Sequence, residues 1–495
     1  TGPAFITADA GSSLTLQRPN ATDNMITGGY LVTFGGAGTV AVNSRIAIGS
    51  GGLTKVDAGH LILGGDNTFT GTLTISQGTV RVNHVNALGT TAGITSISNG
   101  GALELGAGLT LPAEPITLSS TGVNNGGGIR NVAGNNTITG VITLNGTTMR
   151  IHSDAGLLTL GGTSGNATLH SSSSSRTLIF GGAGDIQIVR PMARTSTGTS
   201  VTTKEGNGTV TLASTLNNTT TNVNGGTLRL DFSAAGTPLT NILTNTASAL
   251  TLAGGTLVLK GAPSSANSQT VAGFTATNYS NLISEQNGAT SLDFTFGSLT
   301  RSWMGILGIT PATNGSIRTS GGVDNAAITR DGRVYAFIRD AVNGDEWAAT
   351  SAAVGGLRQI VPLSSISGYT ASTETSLAGH ANIAPGVTTT QISEETTVSS
   401  LRFAQPQATQ ITQSGSQILN VGGILVGSNV GANTTTISTL SIRPTASVDN
   451  NPDFVIVQNN TQAPLVFDAR IINRTESGRT TVSMVKVGPG ALVLK

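Results

Sequence analysis

The sequence contains no cysteine, so neither a disulfide framework nor a cysteine-based metal site can form. Aromatic residues make up only 4% of the chain. Charged residues make up only 10%, against roughly 25% in an ordinary soluble domain. The 25 basic and 24 acidic residues give a net charge of +1, which creates no broad field for attracting nucleic acid or an anionic membrane. These shortages argue against a typical intracellular enzyme and against a nucleic-acid partner.

Sites for metals, nucleotides and membranes are also missing from the sequence. The 5 histidines show no metal-ligand spacing, and no lysine follows a glycine as a phosphate-binding loop requires. No apolar run approaches the roughly 18 residues of a membrane-spanning helix. We therefore expect no cofactor, no metal and no transmembrane segment in this chain.

Glycine, with 67 residues, and threonine are abundant instead. Hydrophobic residues make up 37% and the mean hydropathy is +0.12, so the chain has enough apolar surface to fold. Threonine is β-branched and favours a pleated surface over a helix, which predicts an all-β fold. Glycine and asparagine suit sharp corners, and we expect threonine and serine to form hydrogen-bonded ladders on outward faces.

A short unit occurs three times in the chain. It begins with Lys55, Lys204 or Lys486, places a glycine four residues later, and places apolar residues six and eight residues later. The chain holds only 5 lysines, so their recurrence at one motif position indicates a true internal repeat.

Short strands of alternating apolar and polar residues, such as 101–105 and 255–259, follow glycine turns throughout the chain. They fit either an antiparallel sandwich or barrel, or a parallel β-helix of stacked coils. A sandwich seldom exceeds about 250 residues as one domain, whereas a solenoid grows by adding coils. The length of 495 residues therefore favours the β-helix.

The stretch from Asp324 to Trp347 breaks the pattern with a concentration of charged and aromatic residues. A tight turn at 330–333 predicts a small hairpin inserted on the solenoid. We predict three regions: a β-helix over 1–300, an irregular region over 301–395 that holds the insertion, and a second β-helix over 396–495.

The insertion supplies the candidate ligand contacts. Aromatic rings could stack on a sugar while arginine and aspartate side chains bond its hydroxyl groups. A solvated charged loop explains the same residues, and both Trp303 and Trp347 fit buried anchors as well. A cluster of Asp340, Asp345 and Glu346 beside Arg339 could serve as acid and base in polysaccharide cleavage. The contact candidates are Arg330, Tyr335, Arg339, Asp340 and Trp347.

The Lys55 unit, followed by Asp-Asn-Thr-Phe-Thr-Gly at 66–71 and Gln-Gly-Thr-Val-Arg-Val at 77–82, resembles the autotransporter-associated β-strand repeat of bacterial passenger proteins. The second copy departs from the family pattern, because Asn-Asn-Thr-Thr at 217–220 lacks the aromatic Phe69, so we expect that corner to pack differently. The resemblance implies a secreted or surface-displayed, right-handed parallel β-helix, commonly joined to an outer-membrane barrel.

The leading hypothesis is a non-enzymatic, extracellular structural protein displayed on or shed from a bacterium. Because the third repeat stops at Lys495, we expect a section of a longer protein whose open strand edges could associate end to end into filaments. The alternatives are an adhesin that presents 324–347 to a glycan or a cell, and a polysaccharide-active enzyme.

Overall fold

The computed structural model describes residues 2–98, 100–106, 108–162, 165–170, 175–195, 198–244, 246–302, 304–340, 344–439, 441–445, 453–472 and 483–495. Trp303 and part of the 324–347 insertion lie outside the described residues. The chain forms two compact units. The first comprises Thr1–Thr251, Gly255–Ala272 and Glu285–Ser291, and the second comprises Leu252–Gly254, Gly273–Ser284 and Leu292–Lys495.

The first unit is built from parallel sheets in which neighbouring strands come from successive turns of the chain. Sheet 1 contains Ala4–Thr7, Val32–Gly35, Leu53–Lys55, Leu73–Ile75, Thr95–Ile97, Ile116–Leu118, Ile142–Leu144, Thr168–His170 and Met192–Arg194. Sheet 2 contains Ser13–Leu16, Thr39–Val42, His60–Leu63, Gly78–Val82, Gly101–Leu105, Ile129–Asn131, Thr148–Ser153, Arg176–Gly181, Ser200–Lys204 and Thr220–Val223.

Sheet 3 begins about a quarter of the way along the chain. It contains Thr110–Leu111, Asn136–Ile138, Leu157–Leu160, Asp185–Ile188, Thr209–Leu212, Thr227–Asp231 and Thr256–Lys260. Asn24–Thr27 pairs with Arg45–Ala47 in a small separate sheet. The strands Ala249–Ala253, Ala266–Thr277, Tyr279–Glu285 and Ser291–Arg301 include residues of both units.

The alternation in each strand places one set of side chains in the core and the other outside. In sheet 1, for example, Phe34, Ile75 and Leu118 are fully buried in one inward column, while Thr54 and Thr74 lie in an outward column at the surface. A one-residue shift would bring the outward threonines into the core, so the apolar pattern holds the register. We call the strands at one level of such a stack a rung.

The second unit contains a second stack of parallel strands. Sheet 4 contains Thr370–Ala371, His380–Asn382, Ser400–Phe403, Ile424–Val426, Asp453–Gln458 and Ser483–Val487. Sheet 5 contains Thr389–Ile392, Thr409–Gln413, Thr435–Ser438, Leu465–Phe467 and Leu492–Leu494. Sheet 6 contains Thr396–Val398, Ile418–Val421, Ser441–Pro444 and Arg470–Ile471.

The remaining strands of the second unit precede this stack. They are Ile306–Thr310, Ile317–Thr319, Ala326–Ala327, Thr329–Arg330, Arg333–Val334, Ala336–Ile338, Glu346–Thr350 and Arg358–Pro362. Several of them pair antiparallel, and we call residues 326–340 and 344–362 the antiparallel layer. The helices in the described residues are 3₁₀ turns at Val123–Asn125, Leu363–Ile366 and Ser428–Val430.

The prediction of an all-β fold is confirmed, since the described residues contain strands and short 3₁₀ turns only. Parallel pairing throughout sheets 1 to 6 is compatible with a β-solenoid and differs from an antiparallel sandwich. Parallel pairing in the C-terminal stack begins at Thr370–Ala371, before the alternating pattern becomes clear in the sequence near residue 396. The predicted divisions at 300 and 395 stay predictions.

Candidate functional site

The repeated lysine occupies a position in the apolar core of the stack. Lys55 stands in register between Phe34 and Ile75 in the inward column of sheet 1, and it is only 1% exposed. Its ammonium group donates to the carbonyl oxygens of Val56 at 2.5 Å, Asp57 at 2.7 Å and Gln77 at 3.3 Å. Gln77 belongs to the following rung, so the side chain joins two successive corners.

The second copy repeats this geometry at a different sheet. Lys204 lies between Phe180 and Val223 in sheet 2, and it donates to Glu205 O at 2.6 Å, Gly206 O at 2.8 Å and Gly225 O at 3.3 Å. Burial lowers the pKa of both lysines to about 8, because the interior solvates an ammonium group poorly. Each lysine nonetheless gives its three N–H donors to three carbonyl acceptors.

The third copy shares the local part of the corner. Lys486 pairs with Ile456 in sheet 4 and donates to Gly488 O at 2.6 Å, and burial lowers its pKa. In all three copies the second residue after lysine has a positive φ, namely 58° at Asp57, 72° at Gly206 and 84° at Gly488. We call this arrangement the lysine corner.

The glycine four residues after each lysine is required by a close approach between rungs. Gly59, Gly208 and Gly490 donate to backbone carbonyls of the preceding rung at 3.0, 3.0 and 2.9 Å. A Cβ atom at any of the three would lie 2.0 to 2.2 Å from a backbone oxygen of that rung. The spacing of lysine and glycine in the repeat therefore follows from the packing of one corner on the next.

The second corner of the repeat is held by Asn67, which is 2% exposed. Its Oδ1 accepts from Ile46 N at 2.8 Å and its Nδ2 donates to Ala87 O at 2.7 Å, so one side chain joins three levels of the stack. In the second copy, Asn218 Nδ2 instead donates locally to Thr220 O at 2.7 Å and Thr221 Oγ1 at 2.9 Å. The expectation that this corner packs differently is confirmed.

The 324–347 insertion is an integral part of the antiparallel layer. Thr329–Arg330 pairs with Arg333–Val334 around Asp331 and Gly332, which have φ of 54° and 77°, as expected for the predicted tight turn. Ala336–Ile338 continues into an antiparallel pairing with Glu346–Thr350. The hairpin is thus one edge of a larger packed layer.

The two candidate aromatic contacts are buried in this layer. Trp347 is fully buried and packs in one cluster with Leu425, Val455 and Val457, which are outward residues of sheet 4. Tyr335 is 4% exposed, and the Arg301 guanidinium lies 5.4 Å from the centre of its ring. Burial raises the pKa of Tyr335 to about 12. Tyr335 also lines a cavity of about 140 Å³, whereas the interpretation of Trp347 as a buried anchor is confirmed.

Two arginines converge on one carboxylate beneath the layer. Asp453 in sheet 4 accepts from Arg333 Nη1 at 2.8 Å and from Arg301 Nη1 at 3.3 Å, with a second contact from Arg301 Nη2. All three side chains are at most 7% exposed. Charges buried to this extent need such partners, because an unpaired ion in the interior is strongly destabilising.

A second buried pair joins the layer to Ser400–Phe403 of sheet 4, which is separated from the strand of Asp453 by Ile424–Val426. Arg402 lies 3.4 Å from Glu346, and its Nε donates to Asp345 O at 2.9 Å. The Asp345 side chain accepts from Asn459 Nδ2 at 2.8 Å, and burial raises its pKa. Asp345 and Glu346 are 5% and 4% exposed, so they are structural partners of sheet 4 rather than solvated loop charges.

The other candidate residues lie nearer the surface. Arg339 and Asp340 line a cavity of about 240 Å³ together with Asp345, Ser428, Asn459 and Pro489. Arg339 donates to the hydroxyl of Tyr279 and lies 5.8 Å from the centre of the Phe337 ring. Arg330 is exposed on the hairpin. The structure therefore brings Arg339 and Asp340 together and places Arg330, Tyr335 and Trp347 elsewhere.

The carboxylates of the proposed acid and base cluster are also divided. Asp340 and Asp345 line the cavity, whereas Glu346 accepts from Ser364 N at 3.1 Å and faces Arg402. Among the described residues, no group of three or more His, Asp and Glu side chains is arranged to hold a metal ion. The insertion therefore offers two carboxylates and one arginine at a cavity, with no cation site beside them in the described part of the chain.

Sequence reasoning did not identify the partners of the insertion. Asp453 lies 120 residues from Arg333 and 152 from Arg301, and no local pattern links these positions. The one available signal was the strand 453–458, where apolar residues at successive positions indicate burial on both faces. The lysine repeat was recognised, but its carbonyl contacts follow only from the stacking of rungs.

Comparisons with known proteins give a consistent result. Residues 53–82, which contain the first lysine corner, match the family described as passenger-associated-transport-repeat. The chain is 30% identical over 254 residues to the adhesin BmaC autotransporter of Brucella suis biovar 1 (strain 1330). That alignment covers 51% of this chain and 6% of the relative, so the chain spans only a small part of the relative's length. No solved structure matches the chain.

The matched segment coincides with the corner whose contacts recur at Lys204 and, in part, at Lys486. Within the described residues no helix is both long and apolar enough to cross a membrane. The repeat match and the similarity to an autotransporter adhesin carry the same assignment. Residues 53–82 carry a passenger-associated-transport repeat, and the two similarities together support an autotransporter passenger repeat protein and indicate the bacterial surface or the cell exterior.

Proposed function

We propose that the chain is a non-enzymatic structural segment of a surface-displayed passenger, built as a right-handed parallel β-helix. The observation that carries this proposal is the lysine corner, which joins the backbone of two successive rungs at Lys55 and Lys204 and recurs in part at Lys486. A lysine side chain that binds carbonyl groups of successive rungs stabilises the stack and has no donor left for a ligand.

Two measurements test this function. Immunolabelling of intact cells that produce the parent protein should detect an epitope placed at the exposed Gly386, and external protease should remove the signal. Incubation of the purified chain with uronic-acid polymers, with and without Ca²⁺, should give no new chain ends. Cleavage that disappears in an Asp345→Asn variant would overturn the non-enzymatic role and favour a polysaccharide-active β-helix.

Adhesion is the second candidate, favoured by the similarity to a protein named as an adhesin. The residues that could contact a glycan or a cell are Arg330, Arg339 and Asp340, since Tyr335 and Trp347 are buried. We expect an Arg330→Ala/Arg339→Ala variant to lose cell binding, while Arg18→Ala at an exposed position retains it. Equal binding by all three proteins would rule out the insertion as the adhesive site.

End-to-end association into filaments stays a prediction of the sequence. Electron microscopy of the purified chain at native concentration should show continuous filaments with a regular repeat. Isolated particles at the same concentration would contradict association and leave display as the structural role.

A further inference from the structure

Sheet 1 carries an unbroken column of hydroxyl side chains on its outward face. The registers align Thr33 with Thr54, Thr54 with Thr74, and so on through three more rungs. No bulge or shift interrupts the column. Its members are Thr33, Thr54, Thr74, Ser96, Thr117 and Thr143.

A second column lies beside it, two residues further along each strand. Ser98 N donates to Ile75 O at 2.9 Å, and Ser119 N donates to Ile97 O at 2.8 Å, so the ladder that aligns the rungs extends to these positions. The column consists of Ser76, Ser98, Ser119 and Asn145. We call the two columns together the hydroxyl face.

The polar groups of the hydroxyl face are available to a partner. All of its residues are partly or fully exposed. Contrary to the expected hydrogen-bonded ladders, none of these side chains has a hydrogen-bond partner among the residues that the structure describes. None of these residues is charged or aromatic, and the exposed Phe5 pairs with Thr33 at one end of the first column. On the outward face of sheet 2, by contrast, charged side chains form ion pairs, as between Arg81 and Glu104 at 2.8 Å.

The geometry makes this face a regular grid. Neighbouring strands lie about 4.8 Å apart and alternate residues about 6.6 Å apart, so the hydroxyl groups repeat at those distances along and across the stack. Threonine is stiff at χ1, and a side chain that is already ordered loses little entropy on binding. A periodic grid of donors and acceptors fits a ligand with the same periodicity better than it fits a single small molecule.

We propose that the hydroxyl face binds an extended, uncharged β-linked glycan that runs along the stack. Such a polymer turns each sugar ring over relative to the last, so alternate rings, about two strand spacings apart, meet equivalent hydroxyl groups. Hydroxyl groups both donate and accept, which matches the neutral face and gives no advantage to an anionic polymer. Without an aromatic platform each ring binds weakly, and useful affinity comes from many rungs acting together.

This binding surface goes beyond the structural role and uses none of the residues of the 324–347 insertion. The test uses the full chain with cellohexaose and glucose as probes, followed by isothermal calorimetry. We expect cellohexaose to bind and glucose to give no measurable heat. The variant Thr74→Val/Thr117→Val, which keeps the shape and removes two hydroxyl groups, should bind cellohexaose roughly tenfold more weakly.

A matched control is available on another face of the first unit. Thr159 and Thr211 occupy outward positions of sheet 3 and are similarly exposed, so Thr159→Val/Thr211→Val should leave the affinity unchanged. No binding of cellohexaose, equal affinity for glucose, tighter binding of a β-1,4-mannuronate hexamer, or equal loss in both variants would each overturn the proposal. Surface labelling of cells is independent of these results, so failure here leaves the structural role intact.

Discussion

Lys55 and Gly78 are matched across two rungs. The Lys55 ammonium group occupies the space beside Gly78, such that a Cβ atom at residue 78 would lie 2.7 Å from Nζ and 2.4 Å from the carbonyl oxygens of Asp57 and Gly59. The same distance of 2.7 Å separates a Cβ at Gly226 from Lys204 Nζ. A core lysine and a glycine about one turn later are therefore two halves of one structural element.

Replacing this glycine should destabilise the stack by both strain and overlap. We expect Gly78→Ala to lower the free energy of unfolding by about 3 kcal/mol, because alanine disfavours positive φ and its methyl group overlaps backbone atoms. Urea unfolding monitored by circular dichroism measures the change. Gly11→Ala is the control, since Gly11 has φ 75° against 72° at Gly78 and nothing within 4 Å of a Cβ. An equal loss of unfolding free energy in both variants would mean that contacts between rungs do not contribute to the effect of Gly78→Ala.

The buried lysine should make stability depend on alkaline pH. The pKa of Lys55 is about 8 in the folded chain, compared with an ordinary value of 10.5. Between these two pH values the unfolded chain therefore binds more protons than the folded chain. The free energy of unfolding should therefore rise with pH across this window, by up to about 3 kcal/mol relative to Lys55→Met, in which the position does not titrate. Unfolding of both proteins at pH 7, 8, 9 and 10 measures the difference. If the free energies of unfolding of the two proteins differ by the same amount at all four pH values, the result would contradict burial of a charged amine at Lys55.

A buried carboxyl group should give the opposite dependence at acidic pH. Glu114 is 4% exposed and accepts from Thr95 at 2.6 Å, and burial raises its pKa from 4.5 to about 7. The folded chain then binds more protons than the unfolded chain between pH 4.5 and 7. The contribution of Glu114 to stability is thus greatest below pH 4.5 and declines as the pH rises to 7.

The variant Glu114→Gln removes this titration. When the pH is raised from 5 to 7.5, the melting temperature should fall less for the variant than for the unsubstituted chain. Glu285→Gln serves as the control, because it makes the same substitution at a side chain that is 40% exposed. If Glu114→Gln behaves like the control, the carboxyl group is solvated in the folded chain.

The carboxylate beneath the antiparallel layer should be essential for its attachment. Asp453→Asn leaves Arg301 and Arg333 buried without an anion, which should cost about 3 to 5 kcal/mol. Hydrogen exchange should become faster in Ala336–Ile338 and Glu346–Thr350, while sheet 1 keeps its protection. Asp324→Asn is the matched control, because Asp324 pairs with Arg358 at 2.6 Å but is 51% exposed, and such pairs contribute at most about 1 kcal/mol. Unchanged exchange in the layer would show that apolar packing alone holds it.

Most of the repeat architecture could be predicted from the sequence. The spacing of Lys55 and Gly59 is local, because it describes one corner, and alternation along a strand is local for the same reason. In the structure Lys55 is buried and Gly59 contacts the preceding rung, as this local spacing requires. The difference at Asn218 was also visible, since the missing aromatic changes the corner that the asparagine must complete.

The insertion could be located but not interpreted. Its charged residues suggested a solvated hairpin, yet Arg333, Asp345 and Glu346 are buried because their partners come from distant strands. The local sequence around an aspartate or glutamate is the same whether its carboxylate is buried beside an arginine or exposed to water. Only the placement of Asp453 and Arg402 beneath the layer distinguishes the two cases.

The sequence by itself determined the all-β class, the repeat with its family resemblance, and the position of the charged and aromatic stretch, because each depends on composition or on residues a few positions apart. The tertiary structure alone decided which charges are buried, which aromatic residues are buried, and which hydroxyl groups align into a face. These properties depend on contacts between rungs and layers, and such contacts join residues from about 20 to more than 100 positions apart. No local pattern carries information over that separation.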